Sequence, residues 1–360
     1  METEERNNIL KLDERVEAET EEQSSTSITL KVNVSKTALE NDEYSEVDKL
    51  KDFISKNLKG CDVAICVVAA ALNSFRSDQL LRPFPQSFIN DKNEKDFGAL
   101  KKACDKIPLL SEFITLPSKT IPKDVSNLLT WIFFESGLPM LKLNSLKSLP
   151  LSVVNEKASI NELPQYVFEV SYNKKFEESW KTRIGQRGIF YAFHGSSVTN
   201  FYSILKFGLQ QNFNRGKEVI FGNGIYLSNE ISVCTNYSPF GETWGNSTLG
   251  SKHSIIAVCE VINDVEDVKC KDVKNKRRAI NQNSYGEIPE NYFVVTNSEL
   301  VKVKYLLVYR FNSPSIVRSI IRKHLWWILI ILYIIMLIFI GMSNSPSYRR
   351  FMRYLRSFLE

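Results

Sequence analysis

Hydrophobic positions change their period along the chain. Through 49–150 they recur at helical spacing. Val47, Leu50, Phe53 and Ile54 share one face, and 63–72 is an almost continuous apolar run that Asp62 is placed to cap. Leu128, Leu129, Ile132 and Phe133 repeat within 126–134, where Gly137 supplies a stop. This pattern predicts a small helical domain over 49–150, punctuated by Arg-Pro-Phe-Pro at 82–85. From 151 the period shifts toward two. Segments 166–172, 188–193, 254–262, 292–296 and 301–309 are short, β-branched and aromatic, and are bounded by Gly, Asn or Pro, which predicts strands. Short helices are expected over 200–207, ending at Gly208, and over 230–236, capped by Asn229. The expected fold class is therefore α+β, with a second domain over 151–312 and no internal repeat.

A third pattern follows. Residues 325–342 are eighteen positions without a charge, which as a helix span about 27 Å and suit a thin bilayer such as that of the endoplasmic reticulum. A single transmembrane helix is expected there, with Trp326, Trp327 and Tyr333 fitting an interfacial role. Arg318, Arg322 and Lys323 precede it and Arg349, Arg350, Arg353 and Arg356 follow, so counting cations does not orient it. The first residues lack a basic stretch leading into an apolar core, so no secretory signal is expected. A span this late in the chain would insert after synthesis, leaving the bulk of the chain cytosolic and a short tail lumenal. Within 343–360 the arginines interleave with Phe351, Met352, Leu355, Phe358 and Leu359, as in a surface-lying basic amphipathic helix or a partner-binding segment.

Charge divides the chain unevenly. Residues 1–50 hold six Lys or Arg against fourteen Asp or Glu, a balance of −8, so the overall +5 leaves the remainder at +13. With few large apolar residues, 1–48 is expected to be a disordered acidic tail. The basic remainder scatters its cations through apolar segments and does not cluster them with stacking aromatics, so no nucleic-acid partner is expected. The six cysteines form no framework, several lie inside apolar runs, and no Cys or His pair has zinc-site spacing. Reduced, mostly buried thiols and no metal site follow.

Candidate chemistry gathers in short motifs. Phe-His-Gly-Ser-Ser at 193–197 ends a strand and leads into a helix, while Phe-Gly-Asn-Gly-Ile-Tyr-Leu at 221–227 is a glycine-punctuated edge. The latter is not a dinucleotide fingerprint, because Leu227 takes the third glycine position. With Asn-Tyr at 236–237, Tyr-Phe-Val-Val at 292–295 and Val-Lys-Tyr-Leu-Leu at 303–307, their order and spacing closely resemble the catalytic domain of the poly(ADP-ribose) polymerase-like ADP-ribosyltransferases. Adding 81–85 and the terminal apolar run, the resemblance is strongest to the tail-anchored, endoplasmic-reticulum mono-ADP-ribosyltransferases of that family, and covers roughly residues 60 to 345.

That resemblance implies an ADP-ribosyltransferase fold of short antiparallel strands, NAD as co-substrate, and protein acceptors associated with membranes. His194 would hydrogen-bond the adenosine ribose, and the main chain of Gly195 would clamp the nicotinamide carboxamide. Tyr226 would position the nicotinamide ribose, and Tyr237 would stack on the nicotinamide ring. Cys234 stands where many relatives carry a serine that bonds the carboxamide, and a thiol is a weak donor. Polymer-forming members carry a glutamate twelve residues before the lysine of the Lys-Tyr-Leu-Leu strand. Counting back from Lys304 gives Tyr292. A phenol of ordinary pKa about 10 stays neutral at pH 7 and cannot act as a carboxylate base. The expected reaction is transfer of one unit, and the rival reading is a catalytically inactive, membrane-tethered NAD- or ADP-ribose-binding scaffold.

Overall fold

The computed structural model describes residues 36–150, 163–211, 220–272, 276–281, 284–311 and 316–343, with isolated positions up to 354. The acidic segment 1–35 and most of the basic tail 343–360 lie outside those residues, and with them most of two sequence expectations.

The first helix, α1 (Lys36–Lys56), begins ahead of the expected boundary at 49. Residues 36–48 are therefore helical, correcting the disordered tail over that stretch. The reason is docking: Val47, Leu50 and Ile54 are buried, and Asp48 accepts a 2.7 Å hydrogen bond from the Ser118 hydroxyl. The next helix, α2 (Leu58–Leu72), is buried at every position from Gly60 to Leu72. A helix apolar all round has to be central. Asp62 lies inside α2 and is fully buried, so it is not the cap expected from its sequence position. Around α2 pack α3 (Phe97–Lys106) and α4 (Lys123–Thr130), which continues as a π-turn, Trp131–Glu135.

Nine strands, all antiparallel, form one sheet among the described residues, in the order β1-β2-β9-β6-β3-β4-β8-β7 with β5 on β6. They are β1 (Met140–Asn144), β2 (Tyr166–Ser171), β3 (Ile189–Gly195), β4 (Ile225–Ser228), β5 (Gly241–Glu242), β6 (Lys252–Ile262), β7 (Val268–Cys270), β8 (Tyr292–Val295) and β9 (Val301–Arg310). The chain thus enters the sheet at 140, inside the stretch expected to be purely helical. Asn57 Nδ2 donates to the Leu141 carbonyl over 2.7 Å, and a Cβ at Gly60 would stand 1.8 Å from that same oxygen. Glycine at 60 is what lets α2 lie against this edge strand. One hydrophobic cluster runs from Leu50 and Ile65 in the helices to Phe168, Ala257 and Leu306 in the sheet, so helices and sheet share a core. A second cluster, with Phe193, Cys234, Ile256, Val258 and Tyr305, covers the opposite face. β6, sandwiched between them, is buried at all positions after Lys252.

On the sheet's flanks lie α5 (Lys174–Ile184), α6 (Phe201–Phe207) and α7 (Ile231–Thr235). α7 is not capped by Asn229 as expected: Glu230 precedes its first turn and no side chain caps it, while the Ser228 hydroxyl accepts from the Glu230 N–H over 3.0 Å. The last helix, α8 (Ile316–Ser343), is 28 residues long. Among the described residues no helix is long and apolar enough to cross a membrane. Within α8 the unbroken run of described side chains is 329–341, so the expected span 325–342 falls in part outside it.

Candidate active site

The site is built where the sheet opens. β3 pairs with β6 along its whole length, from Ile189↔Ile262 to Gly195↔Ile256. Its other edge pairs with β4 through the single bridge Phe193↔Ser228. β4 is held instead by β8, from Ile225↔Val295 to Ser228↔Tyr292. Beyond the bridge the two strands part, and a side chain bonds where a ladder would otherwise continue. His194 Nδ1–H donates to the Tyr226 carbonyl over 3.0 Å, which leaves Nε2 of the neutral ring as an acceptor. Burial holds the His194 pKa below its ordinary value, with the Tyr226 hydrogen bond pulling the other way.

Gly195 brings β3 against α7. A Cβ there would lie 2.2 Å from the Cys234 carbonyl oxygen and 2.9 Å from Ser238 Oγ, which no side chain allows. Ser238, buried, organises the corner: its hydroxyl accepts from the Ser196 N–H over 3.1 Å, and its carbonyl accepts from Ser254 Oγ over 2.6 Å. Sequence reading missed Ser238, whose only signal was its place after Tyr237. Cys234 is buried, and burial pushes its thiol up to about 12, opposed by a hydrogen bond from the Gly195 main chain. A thiol so protonated is no nucleophile at neutral pH.

The opposite wall carries tyrosines. The Tyr226 hydroxyl donates to the Gly222 carbonyl over 2.8 Å and accepts from the Phe221 N–H over 3.0 Å. Its own turn thus holds the phenol in place. Asn281, also missed in the sequence, fixes that turn by donating to the Phe221 and Asn223 carbonyls over 3.1 and 2.9 Å. Tyr292, half-buried, lies 5.8 Å from Phe221 between ring centroids. Its phenol is raised above its ordinary pKa, first by burial and then by Tyr237, Cys234 and Glu230. Tyr237 remains 61% exposed, a polar-tipped aromatic face available for stacking. His194, Gly195, Cys234 and Tyr237 therefore converge with Tyr226 and Tyr292 around one opening. A cavity of about 900 Å³ lies elsewhere, lined by Asn57, Tyr172, Trp180, Lys206 and Lys302 among others and by none of those six. The chemistry, more than the volume, locates the site.

Two histidines with lowered pKa give an acid sensitivity. His194 and His253 are both depressed, each chiefly by burial. Unfolded, each would protonate near pH ~6.5, so below that pH the unfolded chain binds more protons than the folded one. Their contribution is complete above about pH 6.5 and is lost as pH falls toward the lower folded values. The urea midpoint is expected to fall between about pH 7 and 5, with His253→Gln flattening part of that slope. An unchanged slope in the variant would remove His253 from this account.

Comparison with known proteins agrees with this geometry. Residues 52–133 match the ARTD15 N-terminal domain, and residues 151–262 match the Poly(ADP-ribose) polymerase catalytic domain. The chain is 34% identical over 315 residues to protein mono-ADP-ribosyltransferase PARP16 of Mus musculus, covering 84% of this chain and 95% of that protein. The chain belongs to the poly(ADP-ribose) polymerase family. The Homo sapiens PARP16 protein is likewise 34% identical, over 323 residues. Protein mono-ADP-ribosyltransferase PARP8 of Mus musculus is 24% identical over 210 residues, 53% of this chain and 24% of that protein. Enzymes of this family use NAD as substrate, and the opening suits it. His194 Nε2 is an acceptor and the Tyr237 ring is open to solvent.

Proposed function

We infer that this chain cleaves NAD and transfers one ADP-ribose unit to protein acceptors, releasing nicotinamide, and that α8 anchors it in a membrane. In the transfer the bond between nicotinamide and ribose C1′ breaks, nicotinamide leaves with the electron pair, and an acceptor side chain bonds to C1′. The transition state is oxocarbenium-like, so placement and electrostatics supply most of the acceleration. His194 Nε2 takes a hydroxyl of the adenosine ribose, and the Gly195 main chain orients the carboxamide. Tyr237 covers the nicotinamide ring while Tyr226, fixed by its turn, sets the adjoining ribose. The observation that carries the single-unit reading is Tyr292, a neutral phenol at the start of β8 where chain elongation would need a carboxylate.

The anchor reading is supported by the uncharged run 325–342 and by the exposure of α8. Large apolar side chains at every position from Leu329 to Ile340 stand 46 to 61% exposed, which describes a helix apolar on all sides and left largely uncovered by the other described residues. The length of the run favours the endoplasmic-reticulum membrane, with the catalytic domain cytosolic and the short tail lumenal. Acceptors are then proteins of that membrane. Full-length protein incubated with labelled NAD should carry single ADP-ribose adducts by mass spectrometry, and His194→Gln should lower labelling by roughly a hundredfold through lost substrate positioning. Adducts longer than one unit would overturn the single-unit reading. Normal NAD binding without any transfer would make the protein a scaffold.

A further inference from the structure

Transfer chemistry leaves unused a pair of phenylalanines on the end of the catalytic domain from which α8 departs. Phe240 and Phe311 are 47 and 45% exposed, and their rings meet edge to face with centroids 5.4 Å apart. Lys252 joins them, its ammonium 5.9 Å from the centroid of the Phe311 ring. It also pairs with Glu242 over 2.5 Å. The ridge is rigid. Gly241 and Glu242 pair with His253 and Lys252, the Phe311 N–H donates to the Lys252 carbonyl over 3.0 Å, and Arg310, exposed beside it, closes β9. Two aromatic rings flanked by two cations, held on strands and presented outward, are the side chains that favour a membrane–water interface.

The path of the chain says which surface lies opposite. Five residue steps separate Phe311 from Ile316, where α8 starts, a reach of at most about 18 Å. Along α8, nine more residues lead to Leu325, about 14 Å. The ridge therefore lies within about 32 Å of the first residue of the apolar run. Arg318, Arg322 and Lys323 fall within that interval.

We propose that the Phe240–Phe311 ridge is a lipid-contacting foot on which the catalytic domain rests against the bilayer carrying its anchor. The rings enter the headgroup layer, and Lys252 and Arg310 meet lipid phosphates. This rests on the reading of α8 as a membrane anchor. It also reaches into the active site, since Phe240 follows Tyr237 by three residues and Ser238 between them is fixed to β3 and β6. Seating the foot brings the Tyr237 wall of the opening down to the lipid surface. Acceptors are then selected by depth: side chains presented close to the headgroups, in juxtamembrane segments of neighbouring proteins.

Full-length protein reconstituted in phosphatidylcholine–phosphatidylserine vesicles provides the test. A small fluorophore is placed at Phe240→Cys or Tyr333→Cys in a Cys270→Ser background, the other five cysteines being buried. Nitroxide-bearing lipid should quench both positions. Quenching at 333 but not at 240 would overturn the foot and leave the anchor standing, whereas quenching at neither would remove both. Independently, Phe240→Ser combined with Phe311→Ser should lower the ratio of vesicle-embedded to soluble acceptor labelling by about fivefold, through lost placement of the opening at the lipid surface. An unchanged ratio would overturn the proposal.

Discussion

Gly195→Ala is expected to lower transfer from NAD by roughly a hundredfold, because shifts near 1 Å at a reacting centre have effects of that order. The added methyl would lie 2.2 Å from the Cys234 carbonyl oxygen, so β3 and α7 must separate by about 1 Å to reach ordinary contact. Separation moves Cys234 and, beyond the end of α7, Tyr237, while His194 stays on β3. The Tyr237 ring and the Gly195 main chain, which in the proposed function cover nicotinamide and hold its carboxamide, lose their mutual placement. Ser238→Ala should not rescue the variant, since it removes the 2.9 Å contact and leaves the 2.2 Å one. Steady-state kinetics with varied NAD, read beside the melting temperature, separates this from unfolding. Normal turnover in a folded Gly195→Ala protein would show that the β3–α7 contact lies outside the site.

Asp62→Ala should be the most damaging change remote from the opening. The Asp62 carboxyl, fully buried in α2, accepts from Ser247 Oγ over 2.5 Å, from the Thr248 N–H over 2.8 Å and from Thr248 Oγ1 over 2.7 Å. Alanine removes the acceptor of all three hydrogen bonds from the buried end of the contact, each loss being worth about 1–3 kcal/mol. The expected cost, about 3–5 kcal/mol, is a large share of the 5–15 kcal/mol of a typical domain. Asn, which keeps one acceptor oxygen, should fall between wild type and Ala. Chemical denaturation measures both, and a cost below about 1 kcal/mol for Ala would mean the contact is dispensable.

Asp62 also marks the limit of what sequence could reveal. Its position before an apolar run suggested a cap, and nothing local could announce partners 185 and 186 residues away. The strands with repeating β-branched and aromatic residues, β2, β3, β6, β8 and β9, were legible. β1 was not, because Leu141 is its one buried residue and Lys142 and Asn144 break the pattern. The candidate residues were legible as motifs, since His194 with Gly195 and Tyr226 with Tyr237 lie within short stretches whose spacing is distinctive. Ser238 and Asn281 stayed hidden because their work is done on main-chain groups of other segments.

The single Phe193↔Ser228 bridge divides the sheet mechanically. On one side lies a broad leaf of long ladders, β1-β2-β9-β6-β3, and on the other a small one, β4-β8-β7. His194 and Gly195 belong to the first, Tyr226 and Tyr292 to the second. Across the gap the two leaves are joined by that bridge, by the His194–Tyr226 hydrogen bond and by the packing of Phe190 on Phe293. A dinucleotide held in the proposed way would span that joint and stiffen it.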